Sequence, residues 1–261
     1  MNNLVLALPI NEMYGLAIHD YSSSSNNGWG SGAASSPRPV WSNGGLQFTR
    51  NANESWIEFK NKSKLNGDLT FFAVIKFHDG TNINGICTDT TAGGVANAFG
   101  LEFGRTDYKL SFVWGNAVIG SSSTSLSLNK IYSVAATREN FGAYKKLTFY
   151  VNGVFDGSTN SVTAIVNSAN NFSIGNHGLF ATSLDFSGVI YCFYIWSKPL
   201  NLVEINNLHR SPYSMFTTPI MARPYLNFGS SGAPPAVTPI RKRSSIQISW
   251  WEQMMRNLGI G

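Results

Sequence analysis

Charge is scarce in this chain. Of its 261 residues only 13% are Asp, Glu, Lys or Arg, while aromatics make up another 13% and Gly, Ser and Asn are abundant. That balance suits many short strands joined by turns better than it suits helices. The net charge of +5 is modest, and Arg241-Lys242-Arg243 supplies much of it, so no nucleic-acid partner is expected from charge. Cysteine is nearly absent. Cys87 and Cys192 stand far apart with no CxxC or Cys/His cluster, and read as buried free thiols. Long apolar runs are missing too, so no membrane span is expected. The start Met1-Asn2-Asn3-Leu4-Val5-Leu6-Ala7-Leu8-Pro9 lacks a basic region and its apolar run is short. It does not read as a signal peptide, and synthesis and folding in the cytoplasm are expected.

What is present is alternation. Leu147, Phe149 and Val151 alternate with Thr148 and Tyr150, which buries one face of a strand. Asn152-Gly153 follows, the pair best suited to a tight hairpin turn, and Val154-Phe155 begins the return. Leu4 to Ile10 reads as a first strand, and Tyr21 to Ser36 as a long polar loop. Trp56 and Glu58 lie on one side of the next run, Ile57 and Phe59 on the other. Leu69 to Phe77 is dense enough for a central strand covered on both faces. Further strands are expected at Phe99 to Phe103, Lys109 to Trp114, Ile131 to Thr137, Asn171 to Gly175 and Phe186 to Trp196. Ten to a dozen strands at this spacing predict a sandwich or barrel. One short helix interrupts the pattern: Asn201 caps it, Glu204 completes a capping box, and Leu202, Ile205 and Leu208 share a face.

The ordered set of these motifs resembles the laminin-G-like, concanavalin A-like domains. Phe186-Ser187-Gly188-Val189-Ile190, the aromatic run to Trp196, and Pro199-Leu200 leading to Glu204-Ile205 resemble the family's closing signature. Tyr150-Val151-Asn152-Gly153-Val154 resembles its hairpin, and Asp20 to Gly28 its "D-x-S-x-x-x-N-x-G" loop. The likeness covers roughly residues 4 to 210. It implies an all-β, antiparallel jelly-roll sandwich over residues 1–211, with one short helix, followed by a C-terminal arm over 212–261. Members bind glycans or proteins, act as structural modules, or hydrolyse polysaccharides, so residues must decide among these.

Glycoside hydrolysis needs two carboxylates facing the scissile bond. No E-x-D-x-x-E triplet exists here; Glu54 and Glu58 are four apart, Glu102 stands alone between Leu101 and Phe103, and Asp185 has no acidic neighbour in sequence. The four histidines lie in no catalytic or metal motif. A protein that is not an enzyme is therefore expected. Calcium, common in relatives that bind carbohydrate, would draw on Asp89 and Asn97, whose blander role is to cap turns; no other cofactor is expected. Trp29, in Asn27-Gly28-Trp29-Gly30, is a large aromatic in a loop and is expected to dock on its own domain or a neighbouring subunit, with sugar contact as a third option.

Beyond Pro212 the chain resembles the exit segment of laminin-G-like domains encoded by bacteriophages. Tyr225 to Pro239 is rich in Gly and Pro and reads as an extended arm. At its end Trp250 and Trp251 with Met254, Met255 and Leu258 form an apolar stripe, expected to meet a protein partner rather than a membrane, since Arg256 alone is too little positive charge for the latter. The expectation is a bacteriophage virion component, capsid-decorating or tail-associated, assembled as an oligomer or with other virion proteins through the arm. A lectin for a host-surface glycan is the rival, and a polysaccharide-degrading enzyme a more distant one.

Overall fold

The computed structural model of the protein describes residues 3–12, 15, 17–32, 38–42, 44–49, 55–59, 65, 67–80, 83–91, 94–104, 107–114, 117–161, 172–176 and 185–216. The chain divides into two compact units, 1–216 and 217–261; all described residues belong to the first. In order, the elements are β1 (Leu4–Leu8), β2 (Ala17–Ile18), β3 (Gly28–Gly32), β4 (Val40–Ser42), β5 (Gly45–Phe48), β6 (Ser55–Phe59), β7 (Leu69–Phe77), β8 (Asn84–Thr91), β9 (Gly94–Phe103), β10 (Leu110–Trp114), β11 (Ala117–Ser121), β12 (Ile131–Asn140), β13 (Lys145–Val151), β14 (Val154–Ser161), β15 (Phe172–Ile174), β16 (Gly188–Trp196), α1 (Leu202–Arg210) and the 3-10 turn η1 (Ser214–Phe216).

Two antiparallel sheets face each other, as the sequence predicts. The first runs β14-β13-β12-β7-β16-β5-β4, with β1 also on β16; the second runs β11-β10-β9-β8-β15-β6-β3-β2. Alternation fills the space between them. Phe71, Ala73, Ile75, Phe193 and Ile195 of the first sheet meet Ile57, Phe59, Leu101, Phe103, Phe112 and Phe172 of the second in one buried cluster. Rings lock across the gap, Phe71 at 6.2 Å from Phe112 and Phe77 stacked on Phe103 at 4.9 Å. Cys87 and Cys192 are buried, unpaired thiols.

The hairpin at Asn152-Gly153 forms as expected, with Asn152 at φ 50° and Gly153 at φ 75°. The loop motif at Asp20 is a structural clip. Its carboxylate accepts the amides of Ala7, Ser22 and Asn26 and the Ser22 hydroxyl, all within 2.7–2.9 Å, which ties the loop to β1. Tyr21 to Ser36 is not wholly loop, however. Gly28 to Gly32 is strand β3, paired to β6. A Cβ on Gly28 would stand 2.4 Å from the Phe59 ring and 2.5 Å from Ile57. Glycine is disfavoured in strands by propensity, yet here only glycine lets the backbone close over the core.

The outer face of the first sheet carries a third layer. The register row Ala7–Tyr194–Phe72–Ala135–Tyr150–Phe155 crosses six strands, and its first five members are buried. The chain after β16 packs over it. Leu200 N–H donates to Thr70 Oγ1 at 2.8 Å, His209 Nδ1 lies 2.8 Å from Ser133 Oγ, Tyr213 O–H donates to Tyr191 O at 3.0 Å, and the Phe216 ring sits 5.7 Å from Tyr194. Helix α1 begins with the expected capping box between Asn201 and Glu204 and buries Ile205 and Leu208. Arg138 closes one end of the inter-sheet core, donating to the carbonyls of Gly67 and Leu65 at 2.7 and 3.0 Å; burial lowers its pKa to about 10, partly offset by Asp68.

Candidate functional site

The outer face of the second sheet has the opposite chemistry. Ile57, Phe59, Cys87, Leu101, Phe103, Phe112, Phe172 and Ile174 point into the core, so the alternate residues face away. One register row reads Trp29–Glu58–Ser173–Thr88–Gly100–Val113–Val118. A second reads Asp185–Gly85–Glu102–Ser111–Ser121, with the two serine hydroxyls 2.9 Å apart. Glu58, Ser173 and Thr88 stand together in the first row and the second is polar apart from Gly85; most of these polar side chains are buried.

Among the described residues, several of these buried groups have no hydrogen-bond partner. They are the indole N–H of Trp56 (6% exposed), the hydroxyl of Ser173 (1%) and both amide atoms of Asn176, which follows β15. Each such group costs about 1–3 kcal/mol relative to a satisfied one; those of Trp56 and Ser173 lie on this face, on the strand positions that alternate with the core. Beside them Trp29, 57% exposed, presents an indole at the strand next to Glu58. The face thus sets a solvent-facing aromatic, Trp29, beside buried donors and acceptors held in place by the sheet. That combination orients a polar ligand with an apolar flank.

The pairing also brings together carboxylates that are distant in sequence. Asp185 and Glu102 flank Gly85 from either side. With strands about 4.8 Å apart, their backbones lie roughly 10 Å from each other across a residue that has no side chain. Both are buried. Glu102 therefore does not stand alone, as adjacency in sequence suggests.

Other predicted residues fall elsewhere. Trp29 lies on strand β3, opposite Ala17 and Glu58, and not in a loop. The backbone of Asp89 pairs with Phe172 and Phe99, and Asn97 lies within β9; their side chains are outside the described residues. Among the described residues no group of three or more His, Cys, Asp or Glu is placed to hold a metal ion, and no helix is long and apolar enough to cross a membrane. Trp250, Trp251, Met254, Met255 and Leu258 lie outside the described residues. Ser173 and Asn176 are not among the residues the sequence singles out. Ser173 alternates with Phe172 and Ile174, a signal that could have marked it as outward-facing.

Comparison with known proteins gives the family. The profile described as the concanavalin A-like lectin/glucanases superfamily matches residues 50–206, well over half of the chain. No curated protein matches by sequence. Among solved structures, Trypanosoma rangeli sialidase in complex with sialic acid is similar at TM-score 0.61 and 16% identity, over 84% of this chain and 34% of that one. The binding domain of Paraclostridial Mosquitocidal Protein 1 is similar at 0.58 and 16%, over 82% and 53%. Botulinum neurotoxin type C, in a structure concerned with its interaction with two ganglioside molecules, is similar at 0.55 and 16%, over 80% and 51%. The chain spans about a third of the length of the sialidases it matches. At such identity these likenesses establish the fold.

They also correct one expectation. The absence of a carboxylate triplet on one strand was the ground for expecting no enzyme. The fold is shared with sialidases at 16–17% identity, so the missing triplet does not by itself exclude an enzyme.

Proposed function

We propose, from the fact that this chain belongs to the concanavalin A-like lectin/glucanases superfamily, that its sandwich is a carbohydrate-binding module which uses the outer face of the second sheet. The observation that carries the reading is the coincidence on one face of exposed Trp29 with the unpartnered buried groups of Trp56 and Ser173. A sugar ring has an apolar C–H face for the indole and hydroxyls that both donate and accept. The names of the similar structures, a sialidase with sialic acid and a toxin that interacts with gangliosides, support a glycan as ligand. A glycan array probed with the full chain, with calcium and with chelator, tests this. Binding that is lost in Trp29→Ala supports it; an array without binding overturns it.

The module's setting is read from the second unit. The Gly/Pro-rich stretch from 225 to 239 and the stripe of Trp250, Trp251, Met254, Met255 and Leu258 suit an arm that anchors the sandwich to a larger assembly. The resemblance of the exit segment to bacteriophage laminin-G-like domains supports a virion component displaying a glycan-binding face towards a host surface. Deleting residues 225–261 is expected to abolish oligomer or particle assembly while leaving glycan binding intact. Unchanged assembly overturns the anchor.

A further inference from the structure

The edge of the second sheet beside Trp29 carries two further exposed rings. In β2, Ala17 pairs with Trp29 and Ile18 with Gly28. Ile18 belongs to the core, so Ala17 and His19 share the outward side with Trp29. The chain keeps this course past β2, because Asp20 N–H donates to Asn27 Oδ1 at 2.9 Å. His19 is thus the diagonal neighbour of Trp29, a separation of about 7–8 Å that aromatic side chains span. Tyr21 follows, its ring 6.4 Å from that of His19. The His19 side chain is 58% exposed and Tyr21 51%. Strand β2 ends its sheet, so the three rings line a rim.

Two of these rings are held from behind. His19 N–H donates to Glu12 Oε1 at 2.9 Å, and the imidazole Nδ1 lies 3.5 Å from the same oxygen, which leaves Nε2 on the far side of the ring. The Glu12 side chain is only 10% exposed, and its Oε2 is buried without a hydrogen-bond partner. Two residues earlier Ile10, wholly buried, takes φ 49°, a left-handed conformation that a β-branched residue seldom adopts. Trp41 Nε1–H donates to Gly15 O at 2.9 Å and pins the other end of the same turn. Tyr21 N–H donates to Ala7 O at 2.9 Å, and its ring meets Phe216 edge-on at 5.8 Å. A strained backbone and an unsatisfied carboxylate oxygen are both costs. The turn between β1 and β2 gives up stability, and what it holds in place is His19.

We propose, resting on the carbohydrate reading of this face, that the site continues from Trp29 over His19 to Tyr21 and takes a chain of neutral pyranose units joined by equatorial links, one unit for each ring. Equatorial links keep successive units flat, so each presents C–H bonds to a ring. Hydroxyls along the chain meet His19 Nε2 and the Tyr21 hydroxyl, each able to donate or accept. The carboxylates of Glu12 and Asp20 lie beneath the rim, which disfavours an anionic sugar. Rings fixed by the sheet, by Glu12 and by Phe216 have little freedom to lose on binding. Once the first unit is bound, each further contact is intramolecular.

Dependence on chain length tests the extension. Calorimetric titration of the full chain with cellobiose and cellohexaose, and with chitobiose and chitohexaose, compares two units with six. In at least one series the hexamer is expected to bind about tenfold tighter than the dimer, or more. His19→Ala and Tyr21→Ala should each cut that advantage to about threefold or less, and the double variant should abolish it. Trp29→Ala should weaken both lengths. Hexamer binding no tighter than dimer binding overturns the extension and leaves the Trp29 face standing. So does a length advantage that survives in the double variant with its circular dichroism unchanged. Failure of both hexamers to bind overturns it as well, while a different glycan captured on the array through Trp29 would keep the sheet-face reading in place.

Discussion

The two outer faces of this sandwich are built from the same strand geometry and reach opposite ends. On the first sheet the row through Tyr194, Phe72 and Ala135 is aromatic and apolar, and the segment from Leu200 to Phe216 packs over it. On the second sheet the row through Glu58, Ser173 and Thr88 is polar, with buried groups left unsatisfied beside exposed Trp29. The first face is an extension of the core and contributes stability. The second gives up stability, since unsatisfied polar groups are costly, and is the better candidate for recognition. Position in the fold does not distinguish the faces; the residue types that alternate with the core do.

Substitutions on each face should separate these roles. Phe72→Ala removes a ring buried between the first sheet and its covering layer, and is expected to lower unfolding free energy by about 3–5 kcal/mol in urea titrations, with glycan affinity of the folded protein unchanged. A loss below about 1 kcal/mol would mean that the layer is not packed. Trp29→Ala should do the reverse: stability within about 0.5 kcal/mol of the parent, with a tenfold or greater loss of glycan affinity. Asn201→Ala disrupts the capping box that starts α1 and should cost about 1 kcal/mol, read as earlier exchange of α1 amides.

His209 in the covering layer and His78, just after β7, also carry a pH dependence. Burial, reinforced by Arg210, holds the His209 pKa below its ordinary 6.5, and burial with Lys76 does the same to His78. The unfolded chain therefore binds protons that the folded one resists. Stability from these residues is complete above pH 6.5 and is lost as the pH falls through the lowered folded values. His209→Gln should flatten the decline in melting temperature between pH 7 and 5; an unchanged slope would assign the decline to other groups. The smallest effect is expected at Ser173→Ala, which removes an unpartnered buried hydroxyl and should leave stability unchanged or slightly raised.

Much of the fold is legible in local pattern. Strand β7, the β16 run, the Asn152-Gly153 hairpin and the Asn201 cap each follow from spacing and residue type within a few positions. Strand β3 was hidden because its Gly28 satisfies a packing limit set by Phe59 and Ile57, which lie far along the chain. The site was hidden for the same reason. Nothing in the sequence around Glu102 or Asp185 says that Gly85 will stand between them, because that neighbourhood is made by long-range pairing. The alternation of Ser173 with Phe172 and Ile174 was readable, but its meaning depends on which strands flank it.

The most direct test of the recognition face is amide chemical-shift mapping of the full chain during titration with the tightest neutral glycan found on an array. Perturbations clustered at Trp29, Glu58, Ser173, Thr88 and Asn176 are predicted. Shifts confined to α1 and the first sheet, or none at saturating glycan, would contradict the assignment.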